Sequence, residues 1–188
     1  ATPTQSGVWY VDNTPPVLTL SGANPFHVEY MSAYVEPGAS AIDAYFGDIS
    51  GDIQITGSAN TGVLGTYQLA YNVSDALGNS APERTRSVIV RDTTAPVISL
   101  LGDPVMTLDV FQPYAESGFT AWDTYDGDLT LSVSRSGSVD HEHLGRYEIV
   151  YGVTDSHGNA GSTTRVIDVV DRVNPVVILL GDPAITIE

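Results

Sequence analysis

Apolar and polar residues alternate with a period of two from Tyr67 to Ser74, with Tyr67, Leu69, Tyr71 and Val73 on one side and Gln68, Ala70, Asn72 and Ser74 on the other. The alternation returns later in the chain, where Tyr147, Ile149, Tyr151 and Val153 face away from Glu148, Val150, Gly152 and Thr154. Period two with one aromatic face predicts a strand packed on one side. Turn residues punctuate the rest of the chain every ~8 to 12 residues, the rhythm of short strands in a sandwich. On this basis strands are expected over 17–20, 26–30, 39–42, 53–56 and 85–90, and again over 97–101, 105–110, 119–122, 131–134 and 164–169. Segments 26–30 and 105–110 read as continuations of the edge begun by the first strand. Segments 61–64 and 139–144 are weaker and predict only short strands. No stretch holds a 3.6-residue period, so almost no helix is expected.

The pattern is written twice. Asp12-Asn13-Thr14-Pro15-Pro16-Val17 recurs as Asp92-Thr93-Thr94-Ala95-Pro96-Val97 and starts again as Asp171-Arg172-Val173-Asn174-Pro175-Val176. Gly65-Thr66-Tyr67 likewise recurs as Gly145-Arg146-Tyr147. Four segments are therefore expected: 1–11, the last strand of a preceding repeat or a linker; 12–91, a first repeat; 92–170, a second; and 171–188, the first strands of a truncated third. In a tandem array the repeat is the folding unit, which favours extension or display over catalysis.

Composition narrows the function further. Against 23 acidic residues stand 7 basic ones, none of them lysine, for a net charge of -16. A nucleic-acid partner would need a basic surface, so that class is set aside. No apolar run approaches the roughly 20 residues of a membrane span, and membrane insertion is not expected. No leader pattern is visible, so a mature fragment is expected. With no cysteine, each repeat must be held by its core, and self-repulsion of the acidic surface would be relieved by divalent cations.

The Gly-x-Tyr entering the strong strand is similar to the tyrosine corner of immunoglobulin-like sandwiches, with Tyr67 and Tyr147 as the corner residues. Combined with the Asp-x-x-x-Pro-Val opening, Glu36 and Glu116 ahead of the next strand, Asp126-Gly127-Asp128, and the Asp75 and Asp155 turns ending in Gly-Asn, the chain resembles bacterial immunoglobulin-like tandem repeats of secreted and surface proteins. That family also occurs in some insecticidal crystal proteins, and its layout is similar to that of cadherin repeats. The resemblance implies an all-β fold of tandem immunoglobulin-like, cadherin-like β-sandwiches in an extracellular, secreted or cell-surface setting. It implies no single activity.

Strand parity then gathers the acidic residues. If the first strand runs down from the top of the sandwich, the loops after the second and the long sixth strand return to the top. For the second repeat this assembles Asp92, Asp123, Asp126 and Asp155, with Asp128 nearby. For the first it assembles Asp12, Asp43, Asp48 and Asp75, a weaker set because Phe46 stands in the place of Asp126. Clustered carboxylates repel unless protonated or neutralised by a cation, and calcium suits flexible oxygen-rich loops. The expectation is calcium at the junction of repeats. Asp-Gly and Gly-Asn are equally at home in metal-free turns, which is the competing reading.

Other chemistry is thinner. His141-Glu142-His143 puts two imidazoles two residues apart, a zinc or nickel pair if extended, or a solvated loop. His27 and His157 read as isolated surface residues, and Glu36 and Glu116 as solvated carboxylates or else as ligands at the other end of the sandwich. No nucleophile, base and orienting acid can be placed together, so no enzyme is expected. The leading expectation is a calcium-stiffened spacer or adhesion stalk whose partners are neighbouring repeats and a cell-surface ligand. The alternative is a carbohydrate-binding accessory module of a secreted hydrolase, with Trp122 as the platform for polysaccharide. Ile42 at the equivalent place predicts that the Trp122 position is partly buried.

Overall fold

The alternation of the strong strands is realised as a sandwich in each repeat. The computed structural model describes residues 11–178 and 180. One compact unit ends at Thr94 and the next begins at Ala95. In the first, β1 (Val17–Leu20), β3 (Ala39–Asp43) and β4 (Gly47–Asp48) form one antiparallel sheet in the order β1-β3-β4. β2 (Phe26–Glu29), β5 (Gln54–Thr56), β6 (Gly65–Asn72) and β7 (Arg84–Arg91) form the other, in the order β2-β7-β6-β5, with β2 parallel to β7. The second unit repeats this. β8 (Val97–Leu100), β10 (Phe119–Asp123) and β11 (Gly127–Asp128) face β9 (Val105–Asp109), β12 (Ser134–Ser136), β13 (Gly145–Thr154) and β14 (Ala160–Val170).

The inward side of the period-two pattern makes the core. Leu69, Tyr71 and Val73 pack with Leu18, Val28, Ala41, Ala81 and Val88 in the first unit. Ile149, Tyr151, Ile167 and Val169 are the buried centre of the second, backed by Ile98, Leu100 and Phe119. Tyr67 closes the expected corner, its hydroxyl donating to the Val63 carbonyl at 2.9 Å, and Tyr147 does the same to His143 at 3.0 Å.

Several expectations are corrected. Segments 26–30 and 105–110 do not prolong the first strand's edge; the chain turns at Gly22 and Gly102, both at φ +74°, and joins the opposite sheet. Residues 131–134 do not begin a strand: Thr130–Ser132 is a 3-10 turn, and β12 starts only at Ser134. Segments 61–64 and 139–144 carry no strand; the long strands begin just after them, at Gly65 and Gly145. The strand expected before residue 12 lies outside the described residues except for Val11. Residues 171–178, where a further repeat was expected to open, are described without strand.

Glu36 and Glu116 are not solvated. Glu36 accepts from the Tyr34 hydroxyl and from the Gly38 N–H at 2.9 Å, and stands 3.3 Å from Arg86, whose side chain is fully buried. Arg86 donates from Nε to the Tyr71 hydroxyl at 2.9 Å and from its terminal nitrogens to the carbonyls of Ser21, Ala23 and Gly38. A buried guanidinium needs this full complement of acceptors. In the second unit Glu116 accepts from Tyr114, Tyr151 and Gly118 and pairs with the buried Arg165 at 3.3 Å. The sequence reading missed both arginines. The signal was present in the parity of the last strand, where Arg86 shares the inward side with Val88 and Val90.

Candidate metal site

Strand direction delivers three carboxylates to one end of the first sandwich. Asp12 precedes β1, Asp43 ends β3, and Asp75 follows β6. Each offers a ligand oxygen, and these oxygens all lie within 4.8 Å of one another. Asp43 is 2% exposed and Asp75 7%. Turn chemistry uses only part of this oxygen. Asp43 Oδ1 accepts the N–H groups of Tyr45 and Phe46 at 2.8 and 2.9 Å, and Asp12 Oδ1 accepts that of Thr14 at 2.9 Å. The Oδ2 atoms of Asp12 and Asp43 are buried with no hydrogen-bond partner. A buried carboxylate oxygen left unmatched costs more than an ordinary missing hydrogen bond, because it carries charge.

Asp75 is held by its own loop. Its Oδ1 accepts the N–H groups of Leu77 and Asn79 at 2.8 and 2.9 Å, and its Oδ2 accepts the Asn79 side-chain amide at 2.7 Å. That amide also donates to the Asp12 carbonyl at 3.1 Å, tying the segment before β1 to the loop after β6. Burial pushes the Asp75 carboxyl up, but the donors from Asn79, Leu77 and Gly78 outweigh it and hold the group below its ordinary value. Asp48 stands apart from this group: it accepts from Ser50 N–H and hydroxyl at 3.0 and 2.6 Å and caps the 3-10 turn.

In the second unit Asp123, also 2% exposed, accepts the N–H groups of Tyr125 and Asp126 on Oδ1 at 2.7 and 2.9 Å, and its Oδ2 is buried without a partner. Asp126, Asp155 and His157 offer ligand atoms within 4.8 Å of one another. Asp126 Oδ2 accepts from Ser156 N–H and Oγ at 3.1 and 3.0 Å, clasping the β10–β11 loop to the β13–β14 turn. Asp155 repeats the bonding of Asp75, with His157 N–H in the place of Leu77. His157 is exposed, as expected from sequence, but it is not isolated: it sits beside the acidic side chains. Its sole sequence signal was adjacency to Asp155. Asp128 caps the second 3-10 turn through Thr130 N–H at 2.9 Å. Asp92, the counterpart of Asp12, falls in the first unit; it is buried, and its Oδ1 accepts Thr94 N–H at 3.2 Å.

The remaining candidates separate. His143 Nδ1 lies 2.9 Å from Asp140 Oδ2, but among the described residues no third donor joins it and His141 in a ligand group. Trp122 is not partly buried. It is 63% exposed on the open face of β10, paired with Val97 and Asp128, and its equivalent Ile42 is 51% exposed. The error came from equating an apolar residue with a buried one, which the outward side of a short sheet does not require.

Comparison with known proteins agrees with the architecture. A family model described as bacterial surface protein, Ig-like domain, matches residues 18–90 and again 98–169. The chain is 33% identical over 122 residues to the pesticidal crystal protein Cry22Aa of Bacillus thuringiensis, covering 63% of this chain and 16% of that protein. It is 29% identical over 194 residues to hyalin of Strongylocentrotus purpuratus, covering 95% of this chain and 16% of hyalin. The chain thus spans less than a fifth of either relative. Among solved structures, the Clostridium perfringens ZmpB M60 catalytic domain with its CBM51-1 and CBM51-2 domains aligns over 90% of this chain and 33% of that one, with a TM-score of 0.55 and 14% identity, a likeness of fold alone.

Proposed function

The chain belongs to the bacterial surface protein Ig-like domain family, and from that premise we propose that it is a non-catalytic, calcium-stiffened spacer or adhesion segment of a secreted or surface protein. The observation that carries this reading is the group of Asp12, Asp43 and Asp75 with two buried carboxylate oxygens unmatched. Oxygens held at roughly 2.4 Å from a calcium ion stand at most about 4.8 Å apart, the span of this group. Waters and carbonyls would complete the 6 to 8 ligands calcium takes. Because Asp12 lies in the segment entering β1, an ion there pins that segment to the top of the sandwich and removes freedom from the connection.

The test is a thermal melt of the whole chain in chelator and in millimolar calcium, beside the Asp43→Asn, Asp123→Asn variant. Asparagine keeps the oxygen that accepts the turn N–H groups and removes the charge. Calcium at a hundred times its Kd adds about 2.7 kcal/mol to whatever it binds. For units of this size that is a rise of roughly 10 °C or more in Tm. The rise is expected in the wild type and lost in the variant. A melt indifferent to calcium would leave the acidic loops as turns.

A second reading is favoured by one observation, the exposure of Trp122 on an open sheet face. Flanked there by Ser99, Thr120 and Asp128, an indole could stack on a sugar ring while the neighbours bond its hydroxyls. That surface supports the alternative of a carbohydrate-binding module.

A further inference from the structure

The two acidic ends are not chemically alike. Where the first repeat has Phe46 and Leu77, the second has Asp126 and His157. The first group offers only carboxylate oxygen; the second adds an imidazole nitrogen within 4.8 Å of the oxygens of Asp126 and Asp155. We propose that the second repeat binds a transition metal of the zinc class through His157 and its neighbouring carboxylates, while the first takes calcium. This rests on the reading that these loops hold cations and adds which cation each one selects.

Donor chemistry makes the division. Calcium takes oxygen ligands and gains little from an imidazole, whereas zinc, cobalt and nickel bind imidazole strongly. The ring of His157 is positioned for such a role. Its backbone N–H is held by Asp155 Oδ1 at 2.9 Å, and its ring meets Tyr125 edge to face with centroids 4.7 Å apart. Ser156 Oγ, which also bonds Asp126, lies 3.2 Å from its Nδ1. Outer partners of this kind orient a ligating histidine. Asp123, at the head of the same loop as Asp126, offers a further buried oxygen. It is 2% exposed and bonded through Oδ1 to the amide of Asp126, while its Oδ2 is buried without a partner. Its counterpart Asp43 belongs to the first repeat's ligand group.

The experiment titrates the whole chain with cobalt(II), whose visible absorption reports its ligands, in a background where His27, His141 and His143 are all glutamine. One equivalent of cobalt should bind, displaced by zinc and not by millimolar calcium. His157→Leu, which installs the residue of the first repeat, should weaken cobalt and zinc binding by at least roughly tenfold, the lower end of what a metal site loses with one supporting partner. It should leave the calcium-dependent rise in melting temperature in place. Cobalt and zinc affinities unchanged by His157→Leu would overturn this proposal, with the calcium reading intact. The calcium melt, run without zinc, is a separate arm whose failure overturns only the calcium reading.

Discussion

Arg86→Met and Arg165→Met remove the same side chain from the same place in two copies of one fold, yet they should not cost the same. Arg86 bonds Tyr71 through Nε and the carbonyls of Ser21, Ala23 and Gly38 through its terminal nitrogens. Beyond an ion pair with Glu116 at 3.3 Å, which matches that of Arg86 with Glu36, Arg165 reaches only the carbonyls of Leu101 and Gly118, at 2.7 and 3.0 Å, with Met106 sulfur at 3.4 Å, and its buried Nε has no hydrogen-bond partner. Gly38 and Gly118 each keep a backbone donor when the arginine is removed, from Ser21 and Leu101. Arg86→Met thus strips two carbonyls and a tyrosine hydroxyl of their donor. Arg165→Met strips one carbonyl and also relieves an unmatched Nε. At about 1 to 3 kcal/mol for each unsatisfied group, the two extra groups orphaned by the first substitution should make it costlier than the second by at least about 2 kcal/mol. Native-state hydrogen exchange read by mass spectrometry on peptides over β6 and β13 separates the two units. Equal losses, or a larger loss for Arg165→Met, would refute the claim that these bonds set the worth of the buried arginine.

Acid should unfold both units by the same route. Burial pushes the Glu36 and Glu116 carboxyls up, but the tyrosine hydroxyls, a glycine N–H and the arginine beside each outweigh it and leave both below the ordinary 4.5. Asp75 and Asp155 lie below the ordinary 3.8. A carboxyl whose folded pKa is depressed contributes stability that is complete above its unfolded value and lost as pH falls through the folded one. The urea midpoint in chelator should therefore stay level from about pH 7 to about pH 5 and decline below about pH 4.5; a decline setting in above about pH 6 would implicate histidine instead. For the carbohydrate reading, affinity electrophoresis through a panel of polysaccharides should retard the wild type and not Trp122→Ala, and a wild type retarded by none of them would dispose of that reading.

The sandwich and its acidic end were legible because both follow from parity. Period two fixes which side of a strand faces the core, and strand direction fixes which loops share an end, so Asp12, Asp43 and Asp75 could be placed together without coordinates. What parity did not reveal was where polarity and burial part company. Arg86 is charged and sits in the core because carbonyls, the Tyr71 hydroxyl and the half-buried Glu36, fifty positions away, satisfy it. Trp122 and Ile42 are apolar and sit outside because a three-stranded sheet has a free face. The break of the first strand into two sheets was hidden as well, since Leu18 and Leu20 before the turn and Phe26 and Val28 after it keep the same parity while the hydrogen-bond partner changes.

The two repeats therefore separate into a shared body and divergent ends. The body is constrained on both sides: Tyr71 with Tyr151, Leu69 with Ile149, and Val88 with Ile167 are packed against neighbours that leave little room for a different volume. Exchanging Phe46 for Asp126, or Leu77 for His157, alters residues whose surroundings are loop and solvent. Phe46 stacks on Tyr45 with centroids 5.0 Å apart, while Asp126 reaches instead to Ser156 across the loop. The same turn backbone supports both, because Asp43 and Asp123 hold it by the same pair of N–H bonds. On the proposed reading, a tandem array built this way would change the ion from repeat to repeat without disturbing the sandwich, and its stiffness would then depend on which cation the surroundings supply.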